Sequence, residues 1–312
     1  MEVDFDFIRE QMRRRRPGQS AITTARDEED EVEFLSGIFE GKTLGSPIGF
    51  MVRNKDQRSS DYDRFKEIYR PGHADETWQT KYGIRDHRGG GRSSARETLS
   101  RVAGGALAML FLKHQGISIH AYVSAVKDVA VQQSHRELDF SKIEQSIVRC
   151  PDEATAGEMI RVIEHARDTG DSVGGVITGV IRSVPAGLGE PVFDKLPALL
   201  GHAMLSINAV KGFEIGDGFA ATKKHGSDHN KFAAGTYGGI SSGEDIVFRV
   251  AFKPVSTIAV NQQAKTVTGE AVDFSATGRH DPCVLPRAVV IVESMAALVI
   301  ADALLLSRAS AM

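Results

Sequence analysis

Leu99, Val102, Ala103, Ala106, Leu107, Leu110 and Phe111 recur at helical spacing and fall on one face. Ser94 and Glu97 stand ahead of this run at capping-box spacing, and Gly116 follows it, so the pattern predicts a helix over 95–114. The small residues at 103–106 and 108 leave room for a second helix to approach closely. The run 288–306 is apolar nearly all round, interrupted by Glu293 and Asp302 and preceded by Pro286-Arg287. It reads as a helix buried in a core, not as a membrane span. Further helices are predicted over 4–14, 152–168 and 194–209, the first stopped by Pro17-Gly18. Stretches at 48–53, 117–126, 172–184 and 245–252 predict strands. Helices and strands interleave without a linker and without a regular βαβ rhythm. The expected fold is one α+β domain, its long core helices covered by antiparallel sheet.

Composition bounds this reading. The 312 residues, 41% hydrophobic, suffice for a substantial core. A net charge of −3 makes any cluster of arginines a local feature and argues against bulk nucleic-acid binding. With 5 Tyr and 1 Trp, no aromatic-and-basic stacking stripe stands out. Cys150 and Cys283 cannot build a disulfide framework and fit a reduced, cytoplasmic setting. The acidic start Met1-Glu2-Val3-Asp4 has no apolar signal-peptide region.

The candidate chemistry is concentrated in one stretch. Arg70-Pro71-Gly72-His73-Ala74-Asp75 is followed by Arg88-Gly89-Gly90-Gly91-Arg92-Ser93-Ser94-Ala95-Arg96-Glu97. A glycine triplet lets a ligand approach the backbone, and the helix start behind it attracts anions. Arg85, Arg88, Arg92, Arg96 and Arg101 add planar forks that match phosphate and carboxylate. Together they suggest a pocket for a small, multiply charged anion, with His73 upstream.

Three more segments carry potential. Ser206-Ile207-Asn208-Ala209-Val210-Lys211-Gly212 could hold a polar ring or a phosphate, or be no more than a helix C-cap. Lys253-Pro254-Val255-Ser256-Thr257 could face a phosphate or be a plain strand end. Gly278-Arg279-His280-Asp281-Pro282-Cys283 lies at the entrance of the apolar helix, where a surface turn is the alternative. His225 and His229 have metal-ligand spacing, but Gly226 and Ser227 favour a solvated loop. No metal site is expected, since arginines surround His73 and Asp75. A dinucleotide fingerprint, a P-loop and a nucleophile elbow are all missing.

Taken in order, segments 70–75, 88–97, 206–212 and 278–283 resemble chorismate synthases. Arg14-Arg15-Arg16-Pro17-Gly18-Gln19-Ser20 and Asp56-Gln57-Arg58-Ser59 extend the likeness, which runs from about residue 4 to the C-terminus. The resemblance implies a β-α-β sandwich, four long helices between two antiparallel sheets, assembled as a homotetramer. It implies loss of phosphate and the C6 proton from 5-enolpyruvylshikimate 3-phosphate to give chorismate. It also implies reduced FMN without net redox change, with NADPH only as a reductant.

Site roles follow by the same resemblance. His73 would protonate or poise the flavin, and Asp281 would work with flavin N5 to remove the C6 proton. Arg92, Ser93, Ser94, Asn208, Ala209, Gly238, Lys253, Pro254, Val255, Ser256, Thr257 and Arg279 would contact the flavin. Arg15 would meet nicotinamide or substrate. Arg16, Arg70 and Arg96 would meet the substrate's phosphate and carboxylates. Ala21 stands where many members carry another arginine, so reduction of flavin by NADPH is not expected. The family also has a strand with a Gly-Glu-Ser-His-Gly run before the first arginine cluster. That run does not occur here, so the expectation is a single domain over 1–312 without the family's first strand. A shortened loop after Asn230 is expected too. Two other readings are an FMN-binding homologue impaired in catalysis and a basic-loop module for RNA or another polyanion. The second leaves the glycine triplet and the 279–281 segment without a role.

Overall fold

The structure, a computed structural model, describes residues 1–20, 22–23, 29–54, 65–88, 93–231, 234–276 and 281–310. Arg92 and Arg279, the triplet at 89–91, segment 56–59 and Ala21 lie outside these. The chain opens with α1 (Phe5–Arg15), then β1 (Val32–Phe34), β2 (Ile38–Phe39), β3 (Lys42–Thr43), β4 (Phe50–Val52) and β5 (Ile68–Tyr69). Next come α2 (Asp75–Tyr82), α3 (Thr98–His114), β6 (Ser118–Val126), β7 (Val129–Ala130), α4 (Glu153–Asp168) and β8 (Gly175–Arg182). They are followed by α5 (Leu196–Leu205), β9 (Val210–Ile215), α6 (Gly226–His229), β10 (Thr236–Tyr237) and β11 (Ile240–Ser241). The chain ends with β12 (Ile246–Phe252), β13 (Gln262–Thr266), β14 (Ala271–Phe274) and α7 (Leu285–Ser310).

Helix ends follow from local chemistry. Asp4 accepts from Phe7 N at 2.9 Å and caps α1; Asp152 accepts from Thr155 N at 2.9 Å and caps α4. The helix predicted from 95 begins as a tight 3₁₀ turn, with Ser94 Oγ accepting from Arg96 N at 3.2 Å. Glu97 does not complete the capping box. Its carboxylate accepts from Arg101 Nε at 3.0 Å, one turn ahead. The helix predicted over 194–209 stops at Leu205, and a turn with Ala209 at a left-handed φ of 69° leads straight into β9. A one-turn helix, α6, replaces the loop predicted around His225 and His229, though both histidines are exposed as expected.

Five strands form an antiparallel sheet in the order β7-β6-β8-β12-β9. Along β12, Ile246, Phe248, Val250 and Phe252 alternate into the core. Phe248 lies over its register partner Gly179, where a Cβ would fall 2.2 Å from the ring. Helices α1, α3, α5 and α7 pack together, with α7 against β6 and β8. Phe34, Phe50 and Val52, from the β1–β4 pair, pack on the same core. The helices are thus covered by sheet, as the sandwich expectation requires. Away from the five-stranded sheet, the described strands form short separate pieces: β1–β4, β2–β3, β10–β11 and β14-β13-β5. The last has its own small cluster around Phe65 and Phe274.

α7 is long and apolar enough to cross a membrane, yet 67% of its apolar window is buried in the molecule. The small residues of α3 serve the predicted close approach. A Cβ on Gly105 would lie 2.3 Å from Ser294 Cβ and 2.6 Å from Ser294 Cα on α7. Gly105→Val is therefore expected to lower stability by about 1–3 kcal/mol through overpacking. In urea unfolding the midpoint should fall with the slope unchanged. A midpoint equal to wild type would mean that α3 and α7 are not in such contact.

Candidate active site

β5 ends at Tyr69, and a turn from Arg70 through Gly72 (φ 63°) leads into α2 at Asp75. Asp75 Oδ2 accepts from Arg70 N at 3.1 Å and Arg70 Nε at 2.8 Å. Its Oδ1 accepts from Arg70 Nη2 at 2.9 Å and lies 2.9 Å from His73 Nδ1. Burial alone would raise the Asp75 carboxyl, but hydrogen bonds from Arg70 and His73 hold it well below the usual range. The ion pair therefore stabilises the fold fully above the ordinary carboxylate pKa, and that contribution fades progressively as pH falls from there toward the lowered one. His73 Nδ1 is held between Asp75 Oδ1 and Arg70 Nη2, the latter at 3.1 Å, which leaves Nε2 to take or give a proton. Arg70 also stacks on Phe65, its guanidinium 4.7 Å from the ring centre.

A second cluster surrounds Asp30, whose side chain has no exposed surface. Its two oxygens accept from Arg15 Nη1 at 3.2 Å and Arg96 Nη1 at 3.3 Å. Arg15 Nε also donates to Thr98 Oγ1 at 3.2 Å, and its Nη2 to Ala95 O at 2.9 Å. Burial, reinforced by repulsion from Arg287, brings the Arg15 guanidinium down to about 9 despite Asp30. Burial likewise raises Asp30, against the pull of Arg15 and Arg287. In both groups desolvation outweighs pairing. Arg287 Nε donates to Arg15 O at 3.2 Å, and its Nη1 donates to the Asp281 carboxylate. Arg16 is half-buried and closes α1, its N–H reaching Met12 O and Arg13 O at 3.1 Å.

Polar contacts close these segments into a circuit. From the start of α3, Arg101 reaches Ser206. The 206–209 turn meets the end of β12, where Lys253 N donates to Ala209 O at 3.0 Å. Ser172 Oγ donates to Val255 O at 2.7 Å, and Val173 N to Pro282 O at 2.9 Å. Asp281 and Arg287 complete the return to Arg15. The His73 turn hangs on the circuit through Lys253 Nζ, which donates to Gly72 O at 2.8 Å. Ser256 abuts the same glycine, its Cβ 3.4 Å from where a Gly72 Cβ would stand. Burial, with Lys211 nearby, lowers the Lys253 pKa. Thr257 is buried, Pro254 exposed, and Ser93 and Ser94 lie half-buried at the turn into α3. Asn208 Oδ1 is buried and finds no hydrogen-bond partner among the described residues.

The structure redistributes several expected roles. Gly238 sits in the β10–β11 hairpin, which packs on the start of α5 through Leu196 N and Gly239 O at 2.8 Å. That hairpin adjoins Ile246, whereas Lys253 follows Phe252 at the other end of β12. The seven residues of β12 lie between the two. Arg88 pairs with Asp86 on the surface, and Arg101 reaches Glu97 and Ser206. Arg85 is buried beside Tyr69, where its Nη1 lacks a hydrogen-bond partner among the described residues. Sequence reading missed Asp30, Thr98 and Arg287. Asp30 sits in an acidic run that looks solvated, but an arginine in the first turn of an apolar helix was a usable signal for Arg287. Among the described residues no group of three or more His, Cys, Asp or Glu could hold a metal.

The sequence profile of the chorismate synthase family matches residues 1–305. Chorismate synthase from Parabacteroides distasonis is 56% identical over 99% of this chain and 90% of its own length. The enzyme from Christiangramia forsetii is 55% identical with the same coverage. A crystal structure of a chorismate synthase superposes with a TM-score of 0.76 at 31% identity, covering 98% of this chain and 84% of that one.

Proposed function

Because the chain belongs to the chorismate synthase family, lyases of the shikimate pathway, we propose that its circuit of contacts encloses reduced FMN and 5-enolpyruvylshikimate 3-phosphate. The observation that carries this reading is the convergence of Arg15, Arg96, Asn208, Lys253 and Asp281 on one closed path, with His73 attached to it. The residues fit a flavin. Asn208 Oδ1 is a buried acceptor awaiting a donor, the complement of a ring N–H. Lys253, Ser93, Ser94 and Thr257 suit the polar edge and phosphate of the same group. When bound, reduced flavin supplies electron density to the allylic system.

The chain's own residues do the rest. Arg15 and Arg96 stand fixed on Asp30, so their charge can stabilise the departing phosphate without reorganising. Arg16 and Arg70 add charge for the substrate's carboxylates. His73, its ring set by Asp75, presents Nε2 to take or give a proton. Asp281, oriented by Arg287, accepts the C6 proton. The reading extends to a homotetramer in the cytoplasm, with NADPH acting only as an external reductant and neither nucleic acid nor membrane as a partner. Exposed Leu205, Leu298, Leu305 and Leu306, on the packed helices α5 and α7, support an assembly surface.

Titration of the protein with FMN, followed by quenching of flavin fluorescence, tests the site. One FMN per chain is expected, with tighter binding when substrate is present and weaker binding in Asn208→Leu. No binding with or without substrate would contradict the proposal.

A further inference from the structure

Arg101 belongs to the arginine-rich stretch but serves a different end. Its Nη1 donates to Ser206 Oγ at 2.6 Å and its Nη2 to Ser206 O at 3.1 Å, while Nε donates to Glu97 Oε2 at 3.0 Å. The guanidinium thus grips both the side chain and the backbone of one residue, 105 positions away in sequence. Its Nη1 also lies 3.7 Å from Met295 Sδ on α7, which limits its freedom. Ser206 Oγ in turn donates to Ala203 O at 2.6 Å, so the hydroxyl both accepts and donates.

The gripped turn is costly to hold. Ala209 adopts φ 69°, a conformation that a residue with a Cβ disfavours. Asn208 Oδ1 is buried without a partner two residues after Ser206. Such features persist only where surrounding contacts over-determine the backbone. The local bonds are Ile207 N to Met204 O at 3.0 Å and Val210 N to Ile207 O at 3.2 Å. Beyond them, Lys253 N holds Ala209 O from one side and Arg101 holds Ser206 from the other. Glu97, the partner of Arg101, directly follows Arg96, which rests on Asp30.

We propose that Arg101 is a positioning residue that sets the Asn208–Ala209 turn for flavin and ties it to the substrate-side arginines. This rests on the reading of Asn208 as a flavin contact. The test is FMN affinity, by fluorescence quenching, in wild type, Arg101→Met, Arg101→Lys and Ser206→Ala, with the thermal midpoint of each FMN-free protein. Arg101→Met should raise the FMN Kd about tenfold, in line with loss of charge-assisted hydrogen bonds. Lysine should recover part of this, since it offers a point charge but no fork. Ser206→Ala, which keeps the guanidinium and the carbonyl contact, should weaken binding less than Arg101→Met. An FMN Kd within about twofold of wild type in a folded Arg101→Met, with only the midpoint lowered, would mean a purely structural role and would overturn the proposal. If Arg101→Met does not fold, Ser206→Ala decides: a raised Kd supports the proposal, and an unchanged one overturns it. Wild type that binds no FMN would instead overturn the site reading itself.

Discussion

Replacing His73 with alanine is expected to slow chorismate formation by about two to four orders of magnitude, the usual cost of losing a general acid or base. FMN affinity should change little, because the residues assigned to holding the flavin are elsewhere on the circuit. The geometry gives the reason. Asp75 is 4% exposed and uses one oxygen on His73 Nδ1, so the ring has one orientation and one available nitrogen. Alanine leaves Asp75 with its Arg70 hydrogen bonds, so the turn should survive. Anaerobic turnover with reduced FMN gives the rate, and fluorescence quenching gives the affinity. A variant that keeps its rate within a few fold would remove His73 from the chemistry. One that loses rate and FMN together would make it a binding residue instead.

Glu293→Ala should have the largest effect on the fold. Glu293 interrupts the most apolar helix, and its Oε1 accepts from Ala121 N on β6 at 2.9 Å. Its Oε2 accepts from Arg14 Nη1 at 2.5 Å. Both side chains are buried, and Arg14 also meets Gln11 Oε1 at 2.6 Å and Glu144 Oε1 at 2.8 Å. Arg149 joins through Glu144 at 3.1 Å and Arg14 O at 3.0 Å. One carboxylate thus ties α7 to α1 and to the sheet. Its removal strands a buried charge and an unpaired strand N–H, at a cost of about 3 kcal/mol, the low end of the usual range because Glu144 still holds Arg14. Calorimetry should show the midpoint falling by roughly 4–6 °C. Glu293→Gln keeps an acceptor for Ala121 and should fall between. Unchanged stability in Glu293→Ala would mean that Glu144 and Gln11 suffice for Arg14.

The layered core was readable in the chain because binary patterning is local. The faces of α3 and β12, the all-round burial of α7 and the caps of α1 and α4 are each set by residues a few positions apart. Gly105 shows the same for packing, since a small residue on a predicted apolar face signals where another helix fits. Charged residues were less legible. Glu293 looked like a blemish in a hydrophobic run, because its partners Arg14 and Ala121 lie 279 and 172 positions away. Asp30 draws no notice within its acidic run, yet its side chain is wholly buried between two arginines. Arg101 looked like an anion ligand, and nothing near it in sequence announces Ser206. The segments that meet around the site were collected by resemblance to a family. Helical or strand periodicity carries no information on such long-range meetings.

The most direct measurement is anaerobic incubation of the wild-type protein with 5-enolpyruvylshikimate 3-phosphate and dithionite-reduced FMN, with chorismate followed by its absorbance. The account predicts chorismate formation that requires reduced flavin and is lost when FMN is left oxidised. Absence of chorismate from protein shown to bind FMN would contradict it, leaving a circuit of residues that holds the cofactor without performing the elimination.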